Sequence, residues 1–93
     1  MAKLLNQREI NNYLIQIPQW KQEGNKIKCL YKFKNFIEAI AFVNKLVEPS
    51  EKADHHPDLS ISYNKVTVNL TTHDSGGLTL KDFNLAKTFS EIH

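Results

Sequence analysis

The 93-residue chain carries 12 Lys and Arg against 10 Asp and Glu, a formal net charge of +2, with 41% hydrophobic and 24% charged residues. That balance suits one small globular domain and excludes a disordered chain, and so slight a positive excess, spread along the first two-thirds of the sequence, gives no nucleic-acid footprint. The longest apolar region, FIEAIAFVNKLV, is too short and interrupted to span a bilayer; a lone Cys29 and an opening MAKLLNQREI without a secretory pattern make the reducing cytoplasm the expected location.

Asn6 and Glu9 stand at capping-box spacing and open a first helix with an apolar stripe of Ile10, Tyr13, Leu14 and Ile17, stopped by Pro18. The period then changes. Gly24-Asn25 separates WKQE from KIKCLYKFK, where Ile27, Cys29, Tyr31 and Phe33 alternate with Lys28, Lys32 and Lys34. Leu30 is the exception, and the lysines read as a solvated face or a protected sheet edge.

Asn35 and Glu38 repeat the capping spacing before a second helix. Phe36, Ala39, Ile40, Val43, Leu46 and Val47 form its core-facing stripe, with Ile37, Ala41 and Phe42 beyond it. A helix apolar around so much of its circumference needs either a wide core stripe or a second subunit. Pro49 predicts a kink or restart, with helical turns continuing through SEKAD.

After Pro57, Leu59, Ile61 and Tyr63 alternate with Ser60 and Ser62; a turn at Asn64-Lys65 leads to Val66, Val68 and Leu70 alternating with Thr67, Asn69 and Thr71. SGG at 75–77 breaks the chain, and Thr79 caps a last helix carrying Phe83, Ala86, Phe89 and Ile92. The order is α-β-β-α-β-β-α. It predicts an α+β fold over residues 1–93: a four-stranded antiparallel sheet with three helices on one face.

Of the four histidines, His93 reads as solvated. Counting outward from Asn64-Lys65, Tyr63 faces Val66, Leu59 faces Leu70 and His56 faces His73, so the hairpin predicts a cluster of His55, His56 and His73. Glu51 lies one helical turn before His55 and can orient or polarise it. Asp82, in the first turn of the last helix, either simply meets the helix dipole or joins the cluster.

Three readings compete. Structural histidines would bond loop carbonyls. A metal site is disfavoured because neighbouring histidines diverge by about 100° on a helix and point to opposite faces of a strand. Neither an HExxH spacing nor a cysteine pair is present. Acid–base catalysis without a cofactor needs only imidazoles, which give and take protons near neutral pH.

The stretch EKADHHPDLSISYNKVTVNLTTHDSGGLTLKDF resembles the signature of the pterin-4a-carbinolamine dehydratase family. That signature has an acid four residues before His-His-Pro, an aromatic in the following strand, a later histidine and an aspartate in the last helix. Glu51, His55, His56, Pro57, Tyr63, His73 and Asp82 fill those positions in order, and the resemblance spans essentially the whole chain. It implies a hydro-lyase that converts 4a-hydroxytetrahydropterin to quinonoid dihydropterin and water in tetrahydrobiopterin recycling, with no metal or organic cofactor. By similarity, His55 and His73 are the acid–base pair, His56 holds the pterin, and Glu51 and Asp82 orient imidazoles or contact the polar pterin edge. Pro57 and Tyr63 complete the substrate-binding set. The resemblance also implies a homodimer or homotetramer. The alternative is a non-catalytic pterin-binding or protein-binding regulatory module, linked to molybdenum cofactor or coactivator-like. Leu59 stands where many relatives carry tryptophan, and Pro49 lies in a helix that animal relatives run without proline.

Overall fold

Side-chain caps start three of the helices. Asn6 and Glu9 form a complete capping box for α1 (Gln7–Leu14), and Thr79 and Asp82 form another for α4 (Leu80–Ile92). Asn35 accepts from the Glu38 N–H to begin α2 (Phe36–Lys45), while the Glu38 carboxylate reaches past it to the Lys34 N–H. The computed structural model describes residues 2–93. The remaining elements are β1 (Lys21–Glu23), β2 (Lys26–Lys32), α3 (Val47–Ala53), β3 (Asp58–Ser62), β4 (Lys65–Leu70) and a 3-10 turn over His73–Ser75.

The four strands form one antiparallel sheet in the order β1-β2-β4-β3. Ile27, Cys29 and Tyr31 of β2 and Val66, Val68 and Leu70 of β4 point to one face, where the helices bury them with Ala39, Phe42, Leu46, Phe83, Ala86 and Phe89. Leu30 is exposed on the open face, which accounts for its break in the alternation. The second helical region restarts as expected: α2 ends at Leu46, and α3 begins so that Pro49 falls in its first turn, where a missing N–H breaks no helical hydrogen bond.

The stripe of α2 differs from the expectation. Ala39, Phe42 and Leu46 are buried, whereas Phe36 and Val47 are exposed and Ile37 is 78% exposed. The helix is rotated so that Phe42 meets Tyr31, with ring centroids 4.6 Å apart, and Phe33 at 5.0 Å. His93 is exposed, as expected, with its ring set edge-on against the same aromatics, 5.4 Å from Tyr31 and 4.9 Å from Phe33.

The second hairpin turns one residue earlier than the sequence suggests. Ser62 pairs with Lys65 and Leu59 with Val68, leaving Tyr63-Asn64 as the turn. Tyr63 adopts φ +51°, and Asn64 is fastened to the end of β2: its Nδ2 donates to Phe33 O at 2.9 Å and its carbonyl accepts from Phe33 N at 2.8 Å. This anchorage overrides the weak turn preference of Asn64-Lys65. β3 is an edge strand, and although Leu59 and Ile61 share the core-side face with Val68 and Val66, they remain 40% and 39% exposed.

Burial at the sheet centre has a pH consequence. Desolvation pushes the Cys29 thiol above its ordinary 9.0, partly offset by its contact with Tyr31. Burial, then the neighbouring Cys29, pushes the Tyr31 phenol well above its ordinary 10.0. Both groups ionise more readily in the unfolded chain, so their contribution to stability is complete below pH 9.0 and is lost as pH rises through the folded-state values. Urea unfolding should therefore show stability falling from about pH 9 upward. A flat profile to pH 11 in wild type, matched by a Cys29→Ala, Tyr31→Phe variant, would contradict this.

Candidate active site

Three devices bring the site together. The first is the end of α3, where Asp54 takes the left-handed conformation at φ +49° and the His55 N–H bonds back to Ser50 O at 3.1 Å. Because the helix ends there, one-turn spacing no longer relates Glu51 to His55. Glu51 bonds His56 instead, through Nε2–H to Oε2, while His55 turns inward to α4. The expected Glu51–His55 pair is thus replaced by Glu51–His56 and His55–Asp82.

The second device is the first turn of α4. Asp82 is 0% exposed, its Oδ1 accepting from His55 Nε2 at 2.6 Å and its Oδ2 from Thr72 Oγ1 at 2.8 Å and the Thr79 N–H at 3.0 Å. A carboxylate only accepts, so His55 carries a proton on Nε2, and the neutral ring has its lone pair on Nδ1. Asp82 therefore does more than meet the helix dipole: it fixes the tautomer of an adjacent, nearly buried imidazole.

The third device is the return loop. Thr72 pairs with Gly77, and the 3-10 turn between them carries His73 back over the sheet end. This loop delivers His73, whereas the hairpin register does not: carried three residues beyond Asp58↔Asn69, that register sets His55 opposite Thr72. His55, His56 and His73 nevertheless line one cleft of about 210 Å³, together with Asp54, Thr72 and Lys81.

Not every expected residue joins them. Pro57 and Glu51 line a neighbouring groove with Val43, Leu46, Val47 and Leu59, and His56 is the wall shared by the groove and the cleft. Tyr63 lies in neither; it sits in the hairpin turn at the far end of β3, about 20 Å along the strand from Pro57 at 3.3 Å per residue. Thr72 is the residue that reading the sequence missed. Its signal was available: Val66, Val68 and Leu70 alternate inward, and the same period makes Thr72 the next inward position, a buried hydroxyl in need of a partner. Among the described residues, no group of three or more His, Cys, Asp or Glu has metal-holding geometry.

Fold and cleft together define an α+β protein whose antiparallel sheet carries a histidine-lined site backed by a buried carboxylate. Residues 3–92 match the family model described as Pterin 4 alpha carbinolamine dehydratase. The chain belongs to the pterin-4a-carbinolamine dehydratase family. A candidate pterin-4-alpha-carbinolamine dehydratase of Picosynechococcus sp. is 66% identical over 92 residues, covering 99% of this chain and 100% of that protein. A crystal structure from Brucella melitensis, described as a transcriptional coactivator/pterin dehydratase, superposes with a TM-score of 0.92 at 33% identity, covering 97% of this chain and 98% of that one. A pterin dehydratase-like protein identified as a RuBisCO assembly factor shares the fold with a TM-score of 0.67 at 18% identity, over 80% of this chain and 88% of that one. Among the described residues, no helix is long and apolar enough to cross a membrane.

Proposed function

We propose that the protein is a hydro-lyase that dehydrates 4a-hydroxytetrahydropterin to quinonoid dihydropterin, serving tetrahydropterin recycling in the cytoplasm. The observation that carries this reading is the Asp82-held His55 sharing a cleft with His56 and His73. His73 gives a proton to the departing hydroxyl as the bond from carbon 4a to oxygen breaks. His55 takes the nitrogen-bound proton at Nδ1 as the new carbon–nitrogen double bond forms, and Asp82 stabilises the resulting imidazolium. The products are quinonoid dihydropterin and one water, and the imidazoles restore their protons through solvent. His56, held by Glu51, contacts the pterin from the cleft wall.

The exposed Leu59 and Ile61 on the unpaired edge of β3, beside the exposed Val47 of α2–α3, favour a homo-oligomer that covers them. Light scattering should give a mass of at least two chains at micromolar concentration; a monomer would refute that part. The same exposed surface supports a second reading, a pterin- or protein-binding regulatory module that keeps the cleft without turnover. Rate measurement separates the two. Purified protein in the presence of a chelator should accelerate dehydration of a chemically generated 4a-carbinolamine, and pterin binding without acceleration would select the second.

A further inference from the structure

Thr72 touches the supports of both His55 and His73. Its carbonyl accepts from the N–H groups of Ser75 at 3.1 Å, Gly76 at 3.0 Å and Gly77 at 3.3 Å, and its own N–H donates to Gly77 O at 3.0 Å. The main chain of Thr72 therefore shapes the turn that carries His73. Its side chain faces the other way, into the interior, where the hydroxyl donates to Asp82 Oδ2 at 2.8 Å and lies 2.8 Å from Thr79 Oγ1.

The direction of this hydroxyl chain is determined from its far end. The Lys81 N–H, which can only donate, points at Thr79 Oγ1 at 3.2 Å. Asp82 Oδ2, which can only accept, takes the single Thr72 proton. Thr79 must then donate its hydroxyl proton to Thr72 Oγ1, since that oxygen has no second proton to give. The result is a one-way relay from the Lys81 amide through Thr79 and Thr72 to Asp82, whose other oxygen holds His55 Nε2–H. Thr72, Thr79 and Asp82 are all buried, so the relay is shielded from competing water and each bond polarises the next.

We propose that Thr72 is a positioning residue for the reaction: its hydroxyl fixes Asp82, and through it the tautomer and orientation of His55, while its main chain fixes His73. This rests on the acid–base reading of the two histidines, but its physical core can be tested without turnover.

In ¹⁵N spectra of the full chain, His55 should show a protonated Nε2 and a bare Nδ1. Thr72→Val keeps shape but removes the hydroxyl, leaving Asp82 Oδ2 held by the Thr79 N–H alone; the carboxylate can then turn away from His55, and the signature should blur into a tautomer mixture. The substitution should lower kcat for carbinolamine dehydration on the order of 10-fold or more, as expected for losing a hydrogen bond to a charged group, with KM changed less than about threefold. Thr72→Ser should restore the tautomer and most of the rate. A folded Thr72→Val protein with the wild-type His55 signature and wild-type kcat would overturn the proposal. So would a wild-type His55 protonated on Nδ1. Should the valine variant not fold, the wild-type hydroxyl proton decides: the relay requires it to exchange slowly with solvent, and fast exchange refutes it. Absence of dehydratase activity in the wild type would count against the function, while the ¹⁵N result would still judge the relay.

Discussion

Asp82→Asn is expected to leave a folded protein that has lost most of its activity, on the order of 10³-fold, because it inverts the tautomer of His55, the proposed base. An amide offers one acceptor oxygen and a donating NH₂ where the carboxylate offered two acceptors. Three donors converge on Asp82: His55 Nε2–H, the Thr72 hydroxyl and the Thr79 N–H. The Asn oxygen must take Thr72 and Thr79, since the Thr79 amide has no alternative role, so its NH₂ faces His55. His55 then accepts on Nε2 and moves its proton to Nδ1, the atom that must be bare to act as base. Asp82→Ala is more damaging still. It strands three buried donors, each costing about 1–3 kcal/mol, against a total stability of about 5–15 kcal/mol for a domain of this kind. Urea denaturation of the two variants should therefore separate sharply, with Asn near wild type and Ala destabilised by several kcal/mol. Full activity in a folded Asp82→Asn protein would remove His55 from the role of base.

The contrast between these variants reflects which parts of the site the sequence encodes locally. Caps and alternation are short-range. Thr79 and Asp82 declare a capping box within four residues, and Val66, Val68 and Leu70 declare their face by period alone, so the α+β order and the inward face of the sheet were legible. Tertiary contacts decided the rest. The hairpin turn shifted by one residue because Asn64 bonds to Phe33, 31 positions away, and no local pattern reports such a partner. The rotation of α2 follows from Phe42 packing on Tyr31 and Phe33, which only the assembled sheet presents.

The site was legible as a set of residues more than as a set of pairs. His55, His56 and His73 do share a cleft, though through the Thr72–Gly77 loop and not through the register that suggested it. Helical spacing relates Glu51 to His55 only if the helix continues past Asp54, whose left-handed backbone ends it one residue before the histidines and gives Glu51 to His56. Tyr63 enters the binding set only through its position in the motif, and its place in the hairpin turn separates it from the cleft of this chain.

His73→Ala should give the cleanest loss of activity. His73 is exposed on the 3-10 turn, and the loop that carries it is closed by main-chain bonds of Thr72, Ser75, Gly76 and Gly77 that alanine leaves intact. The substitution should thus change stability by no more than about 0.5 kcal/mol, the usual range for an exposed site. Removing a general acid costs about 10²–10⁴-fold in rate. Because the hydroxyl leaves only in the transition state, the loss belongs in kcat and leaves KM almost unchanged. Adding free imidazole should recover part of the rate, since a diffusing acid can enter a cleft open to solvent. His56→Ala should behave differently, raising KM more than it lowers kcat, because a residue that holds the ring binds ground state and transition state alike. If His73→Ala turned over substrate at the wild-type rate, the acid would have to be sought among the other groups lining the cleft, with Lys81 the first to replace.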